Sequence, residues 1–110
     1  MDSYQIIMTS DATTDLVELR NYISYALLAP DTAASYIQTI RQDISKLSEM
    51  PQRIKLIDEE PWHLYGIRRF ITKNFFVYYR IDEEEKKVYI LNIIYSKRNQ
   101  LRALKQMSIN

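Results

Sequence analysis

The chain has 110 residues, 46% of them hydrophobic and 26% charged, which predicts a single globular domain over residues 1–110. The lack of cysteine excludes a disulfide framework, thiolate metal ligands and a thiol nucleophile. No segment has the pattern of a bilayer span or an export signal, so we expect a cytoplasmic protein without a membrane partner. The net charge of +1 conceals an asymmetry: residues 1–65 hold five Lys/Arg and ten Asp/Glu, whereas residues 66–110 hold ten and four.

The first half of the sequence predicts a strand followed by a helical hairpin. An apolar run over residues 4–9 has the length of a strand, and Ser10 after it is the expected N-cap of a first helix. A second helix is expected to begin near Pro30 and to stop at Pro51. Apolar residues recur every three or four positions, as on one face of a helix, at Ala12, Leu16, Leu19, Ile23 and Ala26 or Leu27, and then at Ala33, Ile37, Ile40, Ile44 and Leu47.

The second half predicts a loop, three strands and a short helix. The loop contains two prolines and no clear periodicity, and the strand pattern starts after Gly66, the only glycine. These elements imply an α+β fold in which the helical hairpin packs on an antiparallel sheet. The expected ranges are 51–65 for the loop, 67–72, 75–81 and 87–95 for the strands, 73–74 and 82–86 for the turns, and 98–107 for the helix.

Composition excludes most familiar active sites. A phosphate-binding loop and a dinucleotide fingerprint each need several glycines, and one histidine without cysteine leaves too few ligands for zinc. The acidic run over residues 58–60 lacks the spacing of a calcium loop. A catalytic triad built on His63 lacks the sequence of a nucleophile elbow. We therefore expect no metal and no cofactor.

Basic and aromatic residues gather on the last three predicted strands and just after them. Arg68 and Arg69 are adjacent in a strand, so their side chains point to opposite faces. If the strands align, several cations and Tyr95 meet on one concave surface, and cations with stacking rings are what single-stranded RNA binding uses. The alternative is that most of these rings only pack the sheet. The expected nucleic-acid-binding residues are Arg69, Lys73, Arg80 and Lys97.

Three stretches carry a resemblance to a known family. They are Asp15-Leu16 with Tyr22-Ile23, then Gly66-Ile67-Arg68-Arg69-Phe70 with Asn74-Phe75-Phe76-Val77-Tyr78-Tyr79-Arg80, and finally Ile93-Ile94-Tyr95-Ser96-Lys97-Arg98-Asn99. In this order and spacing, over nearly its full length, the chain resembles the RelE/ParE superfamily of toxins from type II toxin–antitoxin systems. The resemblance implies a growth-arresting toxin, of a kind linked to plasmid stabilisation, that a cognate antitoxin encoded beside it holds inactive.

The resemblance also implies an activity and roles for particular residues. Family members that cleave messenger RNA on the ribosome use basic strand residues to hold the phosphate and to stabilise the charge of attack by the 2′-hydroxyl, without a metal. By that pattern Arg68 and Arg98 bind the phosphate and stabilise the transition state, and Tyr95 stacks on a base or transfers a proton. His63 and Glu60 are weaker candidates for a base. The expected function is ribosome-dependent cleavage of messenger RNA, with the ribosome and its message as partners.

Two departures from the nuclease pattern keep other functions open. Phe76 and Leu104 stand where nuclease members commonly have an arginine and a catalytic tyrosine, which makes the pattern similar to the ParE branch. That branch poisons DNA gyrase by binding, and a further alternative is an inactive member that only binds its antitoxin. An antitoxin of this family wraps its toxin with an extended arm and an amphipathic helix in a hetero-oligomer. Candidate anchors for it are the helix tyrosines Tyr22, Tyr25 and Tyr36, and the alternative is that these rings only pack within the toxin or face the solvent.

Overall fold

A computed structural model describes residues 3–109, so the two ends of the domain expected over residues 1–110 lie outside the described residues. The order of elements is that of the predicted α+β fold: a strand, two helices, three strands and a short helix. No helix in the described part of the chain has both the length and the apolar character that a membrane crossing requires. The elements are β1 (Gln5–Met8), α1 (Ser10–Asn21), α2 (Pro30–Ser45), β2 (Arg68–Thr72), β3 (Phe75–Asp82), β4 (Lys87–Tyr95) and α3 (Gln100–Gln106).

The four strands form one sheet in the order β1, β4, β3, β2. β2, β3 and β4 pair antiparallel as predicted, but β1 pairs with β4 in parallel. The antiparallel pairing predicted for the last three strands is therefore confirmed. β1, whose long connection through the helices permits either direction, joins them in parallel. The predicted turn at Lys73 and Asn74 is confirmed, and both residues have positive φ (49° and 66°), as tight two-residue hairpin turns require.

The first helix is capped by Thr9, so the prediction of Ser10 as the N-cap is wrong. Thr9 has extended backbone angles, and its Oγ1 accepts a hydrogen bond from the Ala12 N–H at 3.3 Å. Ser10 is already the first helical residue, because β1 ends at Met8 and leaves one residue for the cap. The Thr9 hydroxyl also donates to the Ile90 carbonyl at 2.6 Å, which fixes the start of α1 to β4.

The helical hairpin departs from the predicted pattern at its bend. The chain continues from α1 into a π-helical turn over residues 22–26, in which the Leu27 N–H donates to the Tyr22 carbonyl five residues earlier. This wider turn changes the helical phase, so Ala26 and Leu27 are exposed rather than part of the buried stripe. α2 begins at Pro30 as predicted. It ends earlier than predicted, in a 3₁₀ turn over residues 46–48, and the chain then takes left-handed angles at Met50 (φ 48°), just before Pro51.

Each face of the sheet has its own core. The first core lies between the sheet and the hairpin. The predicted apolar positions of both helices outside the bend contribute to it or border it, except Ala33, which is buried but not part of this cluster. The second core lies on the opposite face, where α3 and the loop before β2 cover the sheet. The side chains that fill the second core include Trp62, Ile67, Tyr78, Leu91, Ile94 and Leu104.

The segment predicted as a loop contains only short structure. It holds a 3₁₀ turn over residues 51–53, a cis peptide bond before Pro61 and one antiparallel bridge between Leu56 and Arg68. It is anchored from both sides, since Trp62 is buried in the second core and the buried Tyr79 hydroxyl donates to the Pro51 carbonyl. The loop is therefore part of the framework beside β2.

Candidate binding cleft

A cleft of about 690 Å³ opens between the helical hairpin and the end of the sheet. One wall is formed by α1, the bend and α2, and the other by the start of β3, the end of β4 and the turn that follows. Pockets of this size hold small ligands or several side chains of a partner. The residues that line it include Asp15, Glu18, Tyr22, Leu27, Tyr36, Phe75, Tyr95 and Arg98.

Two residues predicted as catalytic lie together in this cleft. Tyr95 pairs with Phe75 across β4 and β3, and their ring centroids are 5.6 Å apart. The main-chain N–H of Arg98 donates to the Tyr95 carbonyl at 3.0 Å, which holds the turn so that both side chains line the cleft. Tyr95 remains 42% exposed. Lys73, predicted to bind nucleic acid, lies beside the cleft with its Nζ 5.1 Å from the Tyr36 ring centroid.

Asp15 also lines the cleft, although it is not among the site residues predicted from the sequence. Its Oδ2 accepts hydrogen bonds from the Asn92 side chain at 3.1 Å and from the Ile93 N–H at 2.8 Å. Both donors follow a β-bulge in β4, where Leu91 has no opposite residue, and bulges commonly redirect nearby groups. A signal was present in the sequence, because Asp15 is three residues after Ala12 and four before Leu19, on the buried stripe of α1.

The Asp15 carboxyl group is partly withdrawn from water. Its pKa is raised above the ordinary value, because burial disfavours the charged form and the nearby Glu18 and Asp11 carboxylates act in the same direction. The hydrogen bonds from Ile93 and Asn92 oppose this shift without cancelling it. The cleft therefore has an acidic wall on α1 and a cation, Arg98, on the opposite wall.

The third residue predicted as catalytic, Arg68, lies elsewhere. Its Nη1 donates to the carbonyls of Ile54 and Gln52, so the guanidinium group holds the loop before β2. Arg68 pairs with Tyr79 of β3. Tyr79 is four residues, or about 13 Å along the strand, from Phe75 at the cleft. The expected convergence of Arg68 with the other candidate residues does not occur.

Two more of the predicted basic residues lie on the opposite face of the sheet. Arg69 stacks on the Phe76 ring at 4.3 Å and donates to the Tyr78 hydroxyl. Arg80 stacks on the Tyr89 ring, also at 4.3 Å, and donates to the Ile109 carbonyl. Both guanidinium groups therefore border the second core.

The remaining candidates lie in exposed turns. Lys97 is exposed between Tyr95 and Arg98. The His63 Nδ1 lies 2.8 Å from the Ile57 carbonyl, and the Glu60 carboxylate accepts from the Leu64 N–H. These two loop residues thus hold their own loop together.

The cleft gathers aromatic rings, two carboxylates and one guanidinium group. This arrangement is suited to binding a partner with apolar and charged side chains.

Solved structures similar to this fold are toxins of toxin–antitoxin systems. The chromosomal ParDE system of P. aeruginosa gives a TM-score of 0.72 at 20% identity, covering 88% of this chain and 100% of that one. The RelBE2 complex of Mycobacterium tuberculosis gives 0.57 at 26% identity, covering 84% and 98%. A mutant of the E. coli toxin RelE in the free state gives 0.63 at 9% identity, covering 94% and 97%. No curated protein sequence matches the chain.

The sequence itself matches one family model. That model describes the ParE toxin of the type II toxin–antitoxin system parDE, and it matches residues 6–100. The matched range begins in β1 and ends at the first residue of α3, so it includes the hairpin, the sheet and every residue of the cleft. The chain therefore belongs to the ParE toxin family, within the RelE/ParE superfamily of type II toxin–antitoxin systems.

Proposed function

We propose that this protein arrests growth by binding DNA gyrase and that a cognate antitoxin neutralises it. The family match supports a toxin of the parDE kind, and the resemblance of the sequence to the ParE branch suggests gyrase as the target. Toxin and antitoxin form a hetero-oligomer, in which the antitoxin covers the toxin with an amphipathic helix. Because gyrase acts in the cytoplasm, the toxin works there as well.

The separation of the three predicted catalytic residues carries this proposal. Cleavage of RNA by the predicted mechanism needs cations where negative charge develops, yet Arg68 is bound to the loop carbonyls about 13 Å along the strand from the level of Tyr95. In addition, Phe76 and Leu104 offer no polar group at two positions that nuclease members use. A protein that acts by binding needs none of these groups to converge.

A supercoiling assay with antitoxin-free protein tests the proposal. We expect purified toxin to block the introduction of supercoils by gyrase and to leave messenger RNA on ribosomes intact in a parallel translation assay. Toxin mixed with its antitoxin provides the control and should leave gyrase active. Normal supercoiling together with ribosome-dependent RNA fragments would overturn gyrase poisoning and establish the nuclease function.

The second candidate function is ribosome-dependent cleavage of messenger RNA without a metal. The observation that favours it is the placement of Tyr95 and Arg98 in one cleft, with Lys73 beside it, because a ring and two cations suit a nucleotide and its phosphate. In this function Arg98 stabilises the phosphate charge, Tyr95 stacks on a base, and the ribosome with its message is the partner. Arg69, Arg80 and Lys97 then contribute at most to general attraction of RNA.

Substitution of Arg98 distinguishes a catalytic from a structural role for the cations. If RNA is cleaved, Arg98→Ala should lower the single-turnover cleavage rate by a factor of about 100 or more while thermal stability stays unchanged. Arg68→Ala should instead lower the melting temperature, because it leaves the Ile54 and Gln52 carbonyls without this donor. An unchanged cleavage rate in Arg98→Ala would remove Arg98 from the mechanism.

A protein that neither cuts RNA nor blocks gyrase, yet binds its antitoxin, would be an inactive family member.

A further inference from the structure

The bend of the helical hairpin presents an apolar surface that continues into the cleft. Tyr25 is 75% exposed and Leu28 83% exposed, and Leu28 has a φ of 52°, an uncommon conformation for a residue other than glycine. Tyr22 and Leu27, also exposed, line the cleft itself. Large exposed apolar side chains in a contiguous patch mark interaction surfaces, so the bend and the cleft form one surface that a partner helix can cover.

Charges divide the cleft into two unlike walls. Asp15 and Glu18 lie one helical turn apart on α1, and Arg98 follows β4 on the other side. In the part of the chain that the structure describes, neither carboxylate forms a salt bridge. Arg98 on the opposite wall therefore does not neutralise them. An occupant of the cleft must therefore bring a positive charge for α1, and a negative charge toward Arg98 would complement the other wall.

Hydrogen bonding at the base of the cleft also lacks donors. Both bonds that Asp15 accepts end on Oδ2, and over residues 3–109 no donor reaches its Oδ1. The Asn92 side chain donates to Asp15 through Nδ2, which leaves its buried Oδ1 without a partner. A buried acceptor without a donor costs free energy. The Asp15 Oδ1, in the lining of the cleft, thus favours an occupant that carries N–H groups, whereas the buried Asn92 Oδ1 lies behind that lining.

We propose that Asp15 and Glu18 receive a basic side chain, arginine or lysine, from the amphipathic helix of the antitoxin, while the apolar face of that helix covers Tyr22, Leu27 and Tyr36. The inference rests on the proposed function for the identity of the partner. It goes further by assigning specificity: a guanidinium or ammonium group on the helix enters between α1 and the sheet. Apolar neighbours at intervals of three and four residues on the same helix then cover the exposed bend.

Binding measurements with the antitoxin encoded beside the toxin gene test this assignment. Glu18→Gln should raise the dissociation constant about fivefold, as expected for the loss of one partly exposed charge pair, and Glu18→Lys should raise it further. Asp15→Asn should raise the dissociation constant by a factor of about 30 or more, as expected for a charge pair withdrawn from water. The matched control is Glu49→Gln, an exposed carboxylate outside the cleft, which should bind like the wild type.

The outcomes separate this inference from the proposed function. Wild-type affinity in Glu18→Lys and Asp15→Asn, with both variants folded by circular dichroism, would overturn the charge assignment and leave the toxin–antitoxin function intact. Loss of gyrase inhibition in Glu18→Lys with unchanged antitoxin binding would overturn it too, since the cleft would then receive the target. If the wild-type protein failed to bind the antitoxin at all, the proposed function and this inference would both be wrong.

Discussion

Two of the nine tyrosines lie fully buried in the middle of β3, and each hydroxyl has a partner on a different face of the sheet. Tyr79 points toward the hairpin core and donates to the Pro51 carbonyl at 2.8 Å. Tyr78 points the other way, donates to the Gln100 side chain at 2.7 Å and accepts from Arg69. The hydrogen bonds of these hydroxyls therefore join β3 to the loop on one side and to α3 on the other.

Tyr79 should make the protein sensitive to alkaline pH. Burial raises its pKa to about 12, despite the opposing effect of Arg68 and Arg53. Between pH 10 and 12 the unfolded chain loses this proton while the folded chain keeps it, so the free energy of unfolding falls as pH rises, by at most about 1.4 kcal/mol per pH unit for this group. Urea unfolding at pH 9 to 11.5 should show a shallower decline in Tyr79→Phe. The control Tyr25→Phe, at an exposed ring, should keep the wild-type slope; identical slopes in all three proteins would contradict the assignment.

Of the contacts between a helix and a strand, those of α1 with β4 are the most extensive. The Thr9 hydroxyl donates to the Ile90 carbonyl at the start of α1, and the Asp15 carboxylate accepts from the Ile93 N–H six residues later. Both contacts flank the bulge at Leu91. A bulge leaves ladder groups to be satisfied by side chains, and here Thr9, the N-cap of α1, and Asp15 within α1 supply them.

The cap of α1 provides a stability test at this scale. Thr9→Ala removes the acceptor for the Ala12 N–H and the donor to the Ile90 carbonyl, and we expect it to lower the free energy of unfolding by about 1 to 2 kcal/mol. Ser10→Ala is the matched control, because Ser10 is exposed in the first helical turn, and it should change stability by less than about 0.5 kcal/mol. Denaturant melts of both variants measure the difference. A larger loss in Ser10→Ala than in Thr9→Ala would show that the cap is misassigned.

The molecule as a whole is a sheet with a core on each face, and only one of these cores is covered by long helices. The second core is covered by α3 and the loop before β2. Within α3, Leu104 is almost fully buried, whereas Leu101 is 48% exposed. The two leucines are three residues apart on one side of the helix, yet only Leu104 lies in the core.

Truncation of these two leucines measures how much the second core contributes. Leu104→Ala should lower the free energy of unfolding by about 2 to 5 kcal/mol, because it opens a cavity beneath α3. Leu101→Ala should cost well under 1 kcal/mol, since its side chain is already half in water. Thermal melts of the two variants provide the comparison. Equal losses would mean that α3 does not seal the second core.

The sequence by itself determined the family, the order of elements and most of the buried stripe of the hairpin. These follow from local rules: the apolar period within each segment, proline at helix starts, and turn residues between strands. It also placed Tyr95 and Arg98 together, because both lie within four residues at the end of one strand.

Only the tertiary structure decided which charged groups meet. The sequence predicted that several cations of the basic half would meet on one concave surface, yet parallel pairing of β1 with β4 places α1 beside the end of β4. Acidic residues of the first half and Arg98 of the second therefore line one cleft, while Arg68 is bound to the loop carbonyls far from it. The physical reason is that strand pairing and helix packing join residues about 80 positions apart, and no local period in the sequence encodes that contact.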